Sequence, residues 1–396
     1  MSLFGIPVDF LLFGATLVGV ALLHRHTLQV ALTGLAVITV YRVAFTGFDL
    51  VHHLAHEWVL LANLAGLLLG FALLADHFER SGVTEALPRY LPDDWKGGFA
   101  LLVIVFVLSS FLDNIAAAML GGAMASRLFR DKVHLGFVAG IVAASNAGGS
   151  GSVVGDTTTT MMWLDGVAVL DVFHAYAAAV PALVVCGIVA ALQQDRYQRI
   201  VKDGSANVRI DWGRVGVVAA ILAAAIAANV AINTRFPVAG EYVPGIALAI
   251  WAVLLATSTY RRPSWDLLPG AARGAAFLLS LVMCASMMPV EKLPAAGPGT
   301  AFGLGFLSSV FDNIPLTALA LKQGGYDWGA LAYAVGFGGS MIWFGSSAGV
   351  AISGRFPEAR NAVAWLHKGW HVTAAYVVGY GVLMLVLGWQ PHAPHR

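Results

Sequence analysis

The sequence predicts an all-α polytopic membrane protein built as two inverted repeats, each with five transmembrane helices and a re-entrant hairpin. Three observations carry this expectation. Of the 396 residues, 58% are hydrophobic and only 11% charged, with a mean hydropathy of +0.76; a soluble domain carries roughly 25% charged residues. A motif recurs: Ser109-Ser110-Phe111-Leu112-Asp113-Asn114-Ile115 returns as Ser308-Ser309-Val310-Phe311-Asp312-Asn313-Ile314, with S-S-x-x-D-N-I kept. Each copy is followed by a glycine-rich interruption of apolar sequence, at Asn146–Ser152 and Gly336–Ser340.

The apolar segments have helical length, unlike the roughly ten-residue alternating strands of an outer-membrane barrel. In the first repeat, residues 1–194, spans are expected near 3–23, 27–45 and 57–77. Residues 97–108 then give only a short apolar run before the first Ser-Ser, too short for a core that needs roughly 20 residues. With the second apolar run ending near Arg127, they form a re-entrant hairpin over 97–128, with Asp113-Asn114 at its tip. A broken helix over 135–165 and a span over 172–194 close the repeat. A linker, 195–212, leads to the second repeat, 213–396. There the order returns: spans near 213–232, 243–260 and 271–289, a hairpin at 299–322, a broken helix at 329–353 and a last span near 367–388. The hairpin motifs are offset by 199 residues and the Gly-Gly-Ser motifs by 190.

Five crossings per repeat is an odd number, so the second repeat lies inverted relative to the first. Charge gives an independent check. Ten crossings place 18 of the 23 Lys and Arg residues on one side and leave Arg42, Arg235, Lys292, Lys322 and Arg396 on the other. The rich side is the cytoplasmic one, which puts both termini outside, in the periplasm of a bacterial cytoplasmic membrane. Met1–Leu23 has no basic residue before its apolar core and is expected to be a first span and not a cleaved leader. A net charge of +1 gives no footprint for nucleic acid. Cys186 and Cys284 sit inside apolar runs, which suits neither a disulfide nor a thiolate metal site.

Acidic residues at membrane depth are costly unless they have partners or a task, and broken helices are tolerated there only when buried or lining a cavity. In inverted-repeat transporters such places hold substrate and coupling ion. Oxygen ligands suit a hard cation such as sodium. Here they are offered by Ser110, Asn114 and the stretch holding Asn146, Gly148 and Gly149, and by Ser309, Asn313, Gly338, Gly339 and Ser340 in the second half. Asp113 and Asp312 add charge and can hold either a proton or a sodium ion, with sodium placed at Asp113, Asn114 and Gly148 and at Asp312, Asn313 and Gly338. This is the minimal chemistry of a cation/proton antiporter, a secondary active transporter and not an enzyme, with no cofactor beyond the transported ions. Asp113, Asp312 and Asp156, the last followed by Thr157, also stand where helix N-caps are preferred. Capping and ion binding are compatible. The glycines are expected to permit the breaks.

Three other readings stand beside this one. The four half-helix starts present N–H groups that suit a small anion such as citrate or a dicarboxylate, coupled to sodium or protons, and an arsenite carrier is a variant of that. Gly148-Gly149-Ser150-Gly151 matches the G-x-S-G of intramembrane serine proteases, a remote alternative that needs a base facing the serine. His52, His53 and His56 before Glu57 miss H-E-x-x-H because position 60 is Leu60, and an interfacial amphipathic segment accounts for them better.

Leu112-Asp113-Asn114, the block Asn146–Trp163 and the block Gly338–Ala351 resemble the NhaD-type sodium/proton antiporters of the ion transporter superfamily, which also holds arsenite pumps and citrate carriers. The similarity spans both halves in order. It implies a scaffold domain, a moving transport domain made of the two hairpins and two broken helices, elevator-type alternating access and a homodimer in the lipid bilayer. It also implies that the cation sits between the hairpin tips and the facing broken helices.

Overall fold

The computed structural model describes residues 2–3, 6–23, 26–86, 91–201, 209–236 and 242–392. Apart from a two-residue antiparallel ladder near the N-terminus, these residues are helical or connect helices. The first three helices are α1 (Val8–Leu22), α2 (Thr27–Thr46) and α3 (Leu50–Glu79). A short α4 (Val83–Ala86) leads to α5 (Trp95–Ser109) and α6 (Asn114–Leu128), the arms of the first hairpin. Then come α7 (Leu135–Ser150), α8 (Thr157–Leu164), α9 (Val169–Phe173) and α10 (Tyr176–Tyr197). The second half holds α11 (Trp212–Arg235), α12 (Gly245–Thr257), α13 (Leu268–Ser286), the hairpin arms α14 (Pro298–Ser308) and α15 (Asn313–Gln323), then α16 (Trp328–Gly338), α17 (Ser347–Arg355), α18 (Ala362–Lys368) and α19 (Trp370–Val386).

Among the described residues five helical segments are long and apolar enough to cross a membrane, or six if the pair α18–α19, bent by 61°, counts as one. The hairpin arms are shorter, with 15 residues in each arm of the first and 11 in each arm of the second. Two expected spans also come out short: α1 has 15 residues and α12 has 13, about 22 and 20 Å at a rise of about 1.5 Å per residue. Conversely α3 runs for 30 residues, about 45 Å, longer than the roughly 30 Å hydrocarbon core. His52, His53 and His56 lie on its first two turns, so no separate interfacial segment exists there. The ring of His53 instead contacts Ser286 Oγ at 2.9 Å, at the end of α13.

The helices fall into two sets by their packing. In the first, α3 packs on α11, α12 and α13, and α2 on α1 and α13. In the second, α7 packs on α5, α6, α10 and α16, α10 on α5 and α19, α14 on α16, and α6 on α17. The sets meet where α13 lies on α15 and α3 on α8. Leu278, Leu281 and Ala285 of the first set share an apolar cluster there with Met161, Ile314 and Ala318 of the second. The chain between α10 and α11 crosses from one set to the other. Val201 N–H bonds Leu128 O at 2.8 Å at the end of α6, and Asp211 N–H bonds Ser81 O at 2.8 Å beside α3. Asp211 caps α11 and is gripped by Arg261 at 3.0 Å; these hydrogen bonds hold its carboxyl below the usual carboxylate range.

Candidate cation site at the hairpin tips

The two hairpin tips share one local logic. After α5 and α14 the chain turns through four residues, the last of them an aspartate that caps the next helix. Asp113 Oδ2 accepts from Ile115 N–H at 3.2 Å, and Asp312 Oδ1 from Ile314 N–H at 3.3 Å. Each tip is tied to its broken helix by a buried serine: Ser109 Oγ donates to Ser145 O at 2.5 Å, and Ser308 Oγ to Val335 O at 2.6 Å. The donors are 199 residues apart and the acceptors 190, the same offsets as the sequence motifs.

The second serine of each motif differs. Ser110 Oγ donates to Gly148 O at 3.2 Å, and the Tyr176 hydroxyl reaches both groups, at 2.8 and 3.0 Å. Ser309 only bonds back to Phe306 O, within its own arm. Tyr176 lies outside both motifs, and nothing local in the sequence marks it.

The glycines also do something the sequence does not suggest. Gly148 and Gly149 lie inside α7, which continues to Ser150, and the break follows over 151–156. A Cβ on Gly148 would stand 2.0 Å from Phe106 O, and one on Gly338 would stand 2.4 Å from Gly305 O. These glycines let each broken helix cross a hairpin arm backbone to backbone, as small residues do between membrane helices. Gly339 follows in a single 3-10 turn with Ser340.

At the centre stands Asp156, 3% exposed. Its Oδ1 caps α8, accepting from Thr158 N–H at 2.9 Å and Thr158 Oγ1 at 3.0 Å. Its Oδ2 accepts from Asn114 Nδ2 at 2.9 Å and from Asn313 Nδ2 at 3.3 Å. The two tips therefore meet through their asparagines on one carboxylate, not through their aspartates. The network extends further: Asn114 Nδ2 also donates to Asn146 Oδ1 at 3.1 Å, and Asn146 Nδ2 to Ser340 Oγ at 2.9 Å. Asn114, Asn146, Asn313 and Ser340 are all buried.

The 190-residue offset carries Asp156 onto Ser346, which caps α17 by accepting from Gly349 N–H at 3.2 Å, and Thr157 onto Ser347, whose Oγ donates to Asp312 Oδ2 at 2.9 Å. The centre is thus asymmetric, with a carboxylate in one half where the other has a hydroxyl. Ser346 and Ser347 are site residues the motif reading missed; projecting Asp156-Thr157 by the offset finds them. The N-termini of α6, α8, α15 and α17 gather here, and their dipoles favour negative charge. Each start is already capped by its own Asp113, Asp156, Asp312 or Ser346.

Beside the tips lies a cavity of about 300 Å³. Asp113, Ala116, Asp156 and Thr157 line one wall. The opposite wall is apolar and belongs to the first helix set: residues between Leu64 and Ala75 of α3, and between Ala271 and Leu278 of α13. Among the described residues no Lys, Arg or His lines it. The described residues hold no cluster of three or more His, Cys, Asp and Glu suited to a metal ion, so the donors here are carboxylate, amide and hydroxyl oxygens, which suit a hard cation. Ser150 is fully buried and its Oγ donates to Ala147 O at 2.8 Å within its own helix. Among the described residues no histidine bonds it, so the protease arrangement is absent.

Residues 4–338 match the family described as citrate transporter. The chain belongs to that family. Members are transporters and not enzymes. Several relatives have names for cation exchange. Sodium/proton antiporter 1 of Arabidopsis thaliana is 28% identical over 326 residues, covering 72% of this chain and 53% of that protein. The chain thus spans about half the length of that relative. The Na(+)/H(+) antiporter NhaD of Vibrio parahaemolyticus is 25% identical, covering 74% of this chain and 80% of its own. An uncharacterized transporter of Mycobacterium bovis is 24% identical over 92% of this chain and 95% of its own. As a citrate transporter family member, the chain is an all-helical, multi-pass membrane protein.

Proposed function

We propose that the chain is a sodium/proton antiporter whose exchange site is formed by Asp156 and Asp113. The observation that carries this reading is the pairing of two carboxylates, Asp113 and Asp156, on one cavity whose described lining holds no basic residue. Two close acids in a low-dielectric site cannot both stay ionised without a counter-charge, so a proton or a metal cation has to accompany them. Competition between the two for the same oxygens is exchange. Asp113 is the more open ligand, because one oxygen caps α6 and the group borders the cavity. Asp312 has both oxygens engaged, by Ile314 N–H and Ser347 Oγ, and acts as a positioning residue.

The family's description favours a second reading, an anion such as citrate, and the chain's own chemistry weighs against it. The half-helix N–H groups that would hold carboxylates are capped, and a polyanion entering the cavity meets two acids with no cation among the described lining residues.

Exchange needs access from both sides in turn. All the polar site residues belong to the second helix set, while the first offers a mostly apolar wall. A second set sliding along that wall as a unit is the elevator-type movement we propose, with the first set as scaffold. The cavity runs along the halves of α3 and α13 nearest the ends where charge bias places the cytoplasm, which corresponds to an inward-facing state.

The test is sodium-driven collapse of a preset pH gradient in proteoliposomes. If one sodium replaces one proton, the sodium needed for half-maximal response rises about tenfold per unit of falling pH through the acid side of the profile. Asp113→Asn removes the response, whereas Asp312→Asn only weakens it. Lack of any sodium or lithium response across the neutral and alkaline range, or sodium-dependent citrate uptake in its place, overturns the reading.

A further inference from the structure

The geometry points to a binding slot for a phospholipid acyl chain between the arms of the second hairpin. The two hairpins match in their tips but not in their arms. In the first, α5 and α6 pack together, so that a Cβ on Gly121 would lie 2.5 Å from Val105 Cγ2. In the second, α14 and α15 stand apart around a cavity of about 500 Å³. Leu304 and Leu307 line it from one arm and Leu316 and Leu319 from the other.

Two further lining residues, Gly299 and Gly303, have left-handed φ in neither case, and a Cβ on either would meet nothing within 4 Å. Neither backbone conformation nor helix packing asks for glycine there; the missing side chains leave the slot open. Leu307, 48% exposed, and the exposed Gly299 give it an opening on the outer face of α14, which in a membrane is the lipid face.

The occupant follows from the lining. The polar groups at the entry end of the hairpin are spent on the protein: Thr300 Oγ1 donates to Ala295 O at 2.9 Å, Gln323 Nε2 to Pro294 O at 2.7 Å, and Tyr326 OH to Gln323 Oε1 at 3.1 Å. The slot therefore offers water few partners, and apolar cavities stay dry. Left empty, its walls lose their dispersion contacts. From Gly299 to Leu307 the wall is about 12 Å long at a rise of about 1.5 Å per residue. It starts where the hairpin enters the membrane and runs towards the tip, the path of an acyl chain whose headgroup stays at the surface. A chain seated there props apart the arms that carry Asp312 and Asn313.

The experiment uses the full chain in vesicles of phosphatidylcholine that carries a photoactivatable diazirine in one acyl chain, with the adducts mapped by mass spectrometry. Adducts are expected to concentrate on α14 and α15 around Leu304 and Leu319, above the level on the plainly lipid-facing Leu248 and Leu255 of α12, which are 56% and 58% exposed. Gly303→Leu, which the open space accommodates, brings slot labelling down to that level while α12 labelling stays. Gly299→Leu, at the outer end, does the same if Gly303→Leu proves unstable. Slot labelling no higher than α12 in the unmodified protein, or labelling unchanged in both variants, overturns the proposal. None of these outcomes decides sodium exchange, whose proposed ligands Asp113 and Asp156 line the other cavity.

Discussion

Asp156→Asn abolishes sodium-driven exchange, reducing it to the leak of empty liposomes. The argument rests on what a single carboxylate does at this point. Its Oδ2 accepts amide protons from both hairpin tips, Asn114 at 2.9 Å and Asn313 at 3.3 Å, so it is the carboxylate on which the two asparagines converge. An amide of the same shape offers one acceptor oxygen and a donor. Whichever way it turns, an N–H faces either the Thr158 donors or the asparagine donors. Two hydrogen bonds to a charged acceptor, at about 1.5 kcal/mol each at the lower end, make about 3 kcal/mol, or about 100-fold in rate. The lost negative charge removes cation binding on top of that. A second readout separates this from a loss of packing. A cation that binds only the folded protein raises its apparent melting temperature, so sodium stabilises the unmodified protein and leaves Asp156→Asn unshifted. Exchange in Asp156→Asn within tenfold of the unmodified protein, or an equal sodium-dependent stabilisation, sinks the assignment.

The centrality of Asp156 was not legible in the sequence, and the reason is physical. Read locally, an aspartate followed by Thr157-Thr158 is a helix cap, and it is one. Its other partners come from 42 and 157 residues away, and only packing brings them in. Asp113 and Asp312 stood out because they are duplicated, yet the duplication records the capping that both tips share. The unduplicated acid lies between them. What the sequence states well is the order of elements and the tips themselves: the structure starts α6 at Asn114 and α15 at Asn313, immediately after each aspartate. The first glycine-rich stretch misleads by one step, whereas the second does mark its break, since α16 ends at Gly338. Glycine disfavours helix, so a Gly-Gly pair reads as the break. In a buried crossing the gain from close backbone approach outweighs that preference, and α7 runs through Gly148-Gly149 before it ends. The unequal hairpin arms are hidden for a similar reason, since Gly299 and Gly303 look no different in sequence from Gly121, which does pack.

Gly148→Ala is expected to cost more stability than alanine at any glycine that faces open space, and the contrast with Gly216 tests why. The added methyl at 148 would sit 2.0 Å from Phe106 O and within 3.0 Å of the Phe106 Cα. Backbone, not a side chain that can turn away, stands in its path, so α5 and α7 have to separate. Overpacking of this kind costs about 1–3 kcal/mol, and more where backbone moves. Separation also strains the ties that hold the first tip, Ser109 Oγ to Ser145 O and Ser110 Oγ to Gly148 O, so the site loosens along with the fold. Gly216 in α11 has nothing within 4 Å of a Cβ, and alanine there is neutral or stabilises by about 0.5–1 kcal/mol, as in any helix interior. Gly338→Ala, whose methyl would meet Gly305 O at 2.4 Å, behaves like Gly148→Ala because the crossing is built the same way. Thermal-shift curves in detergent rank the three, with unfolding of a membrane protein read as an apparent midpoint and not as an equilibrium constant. Equal midpoints for Gly148→Ala and Gly216→Ala would mean that the glycines serve the break after all.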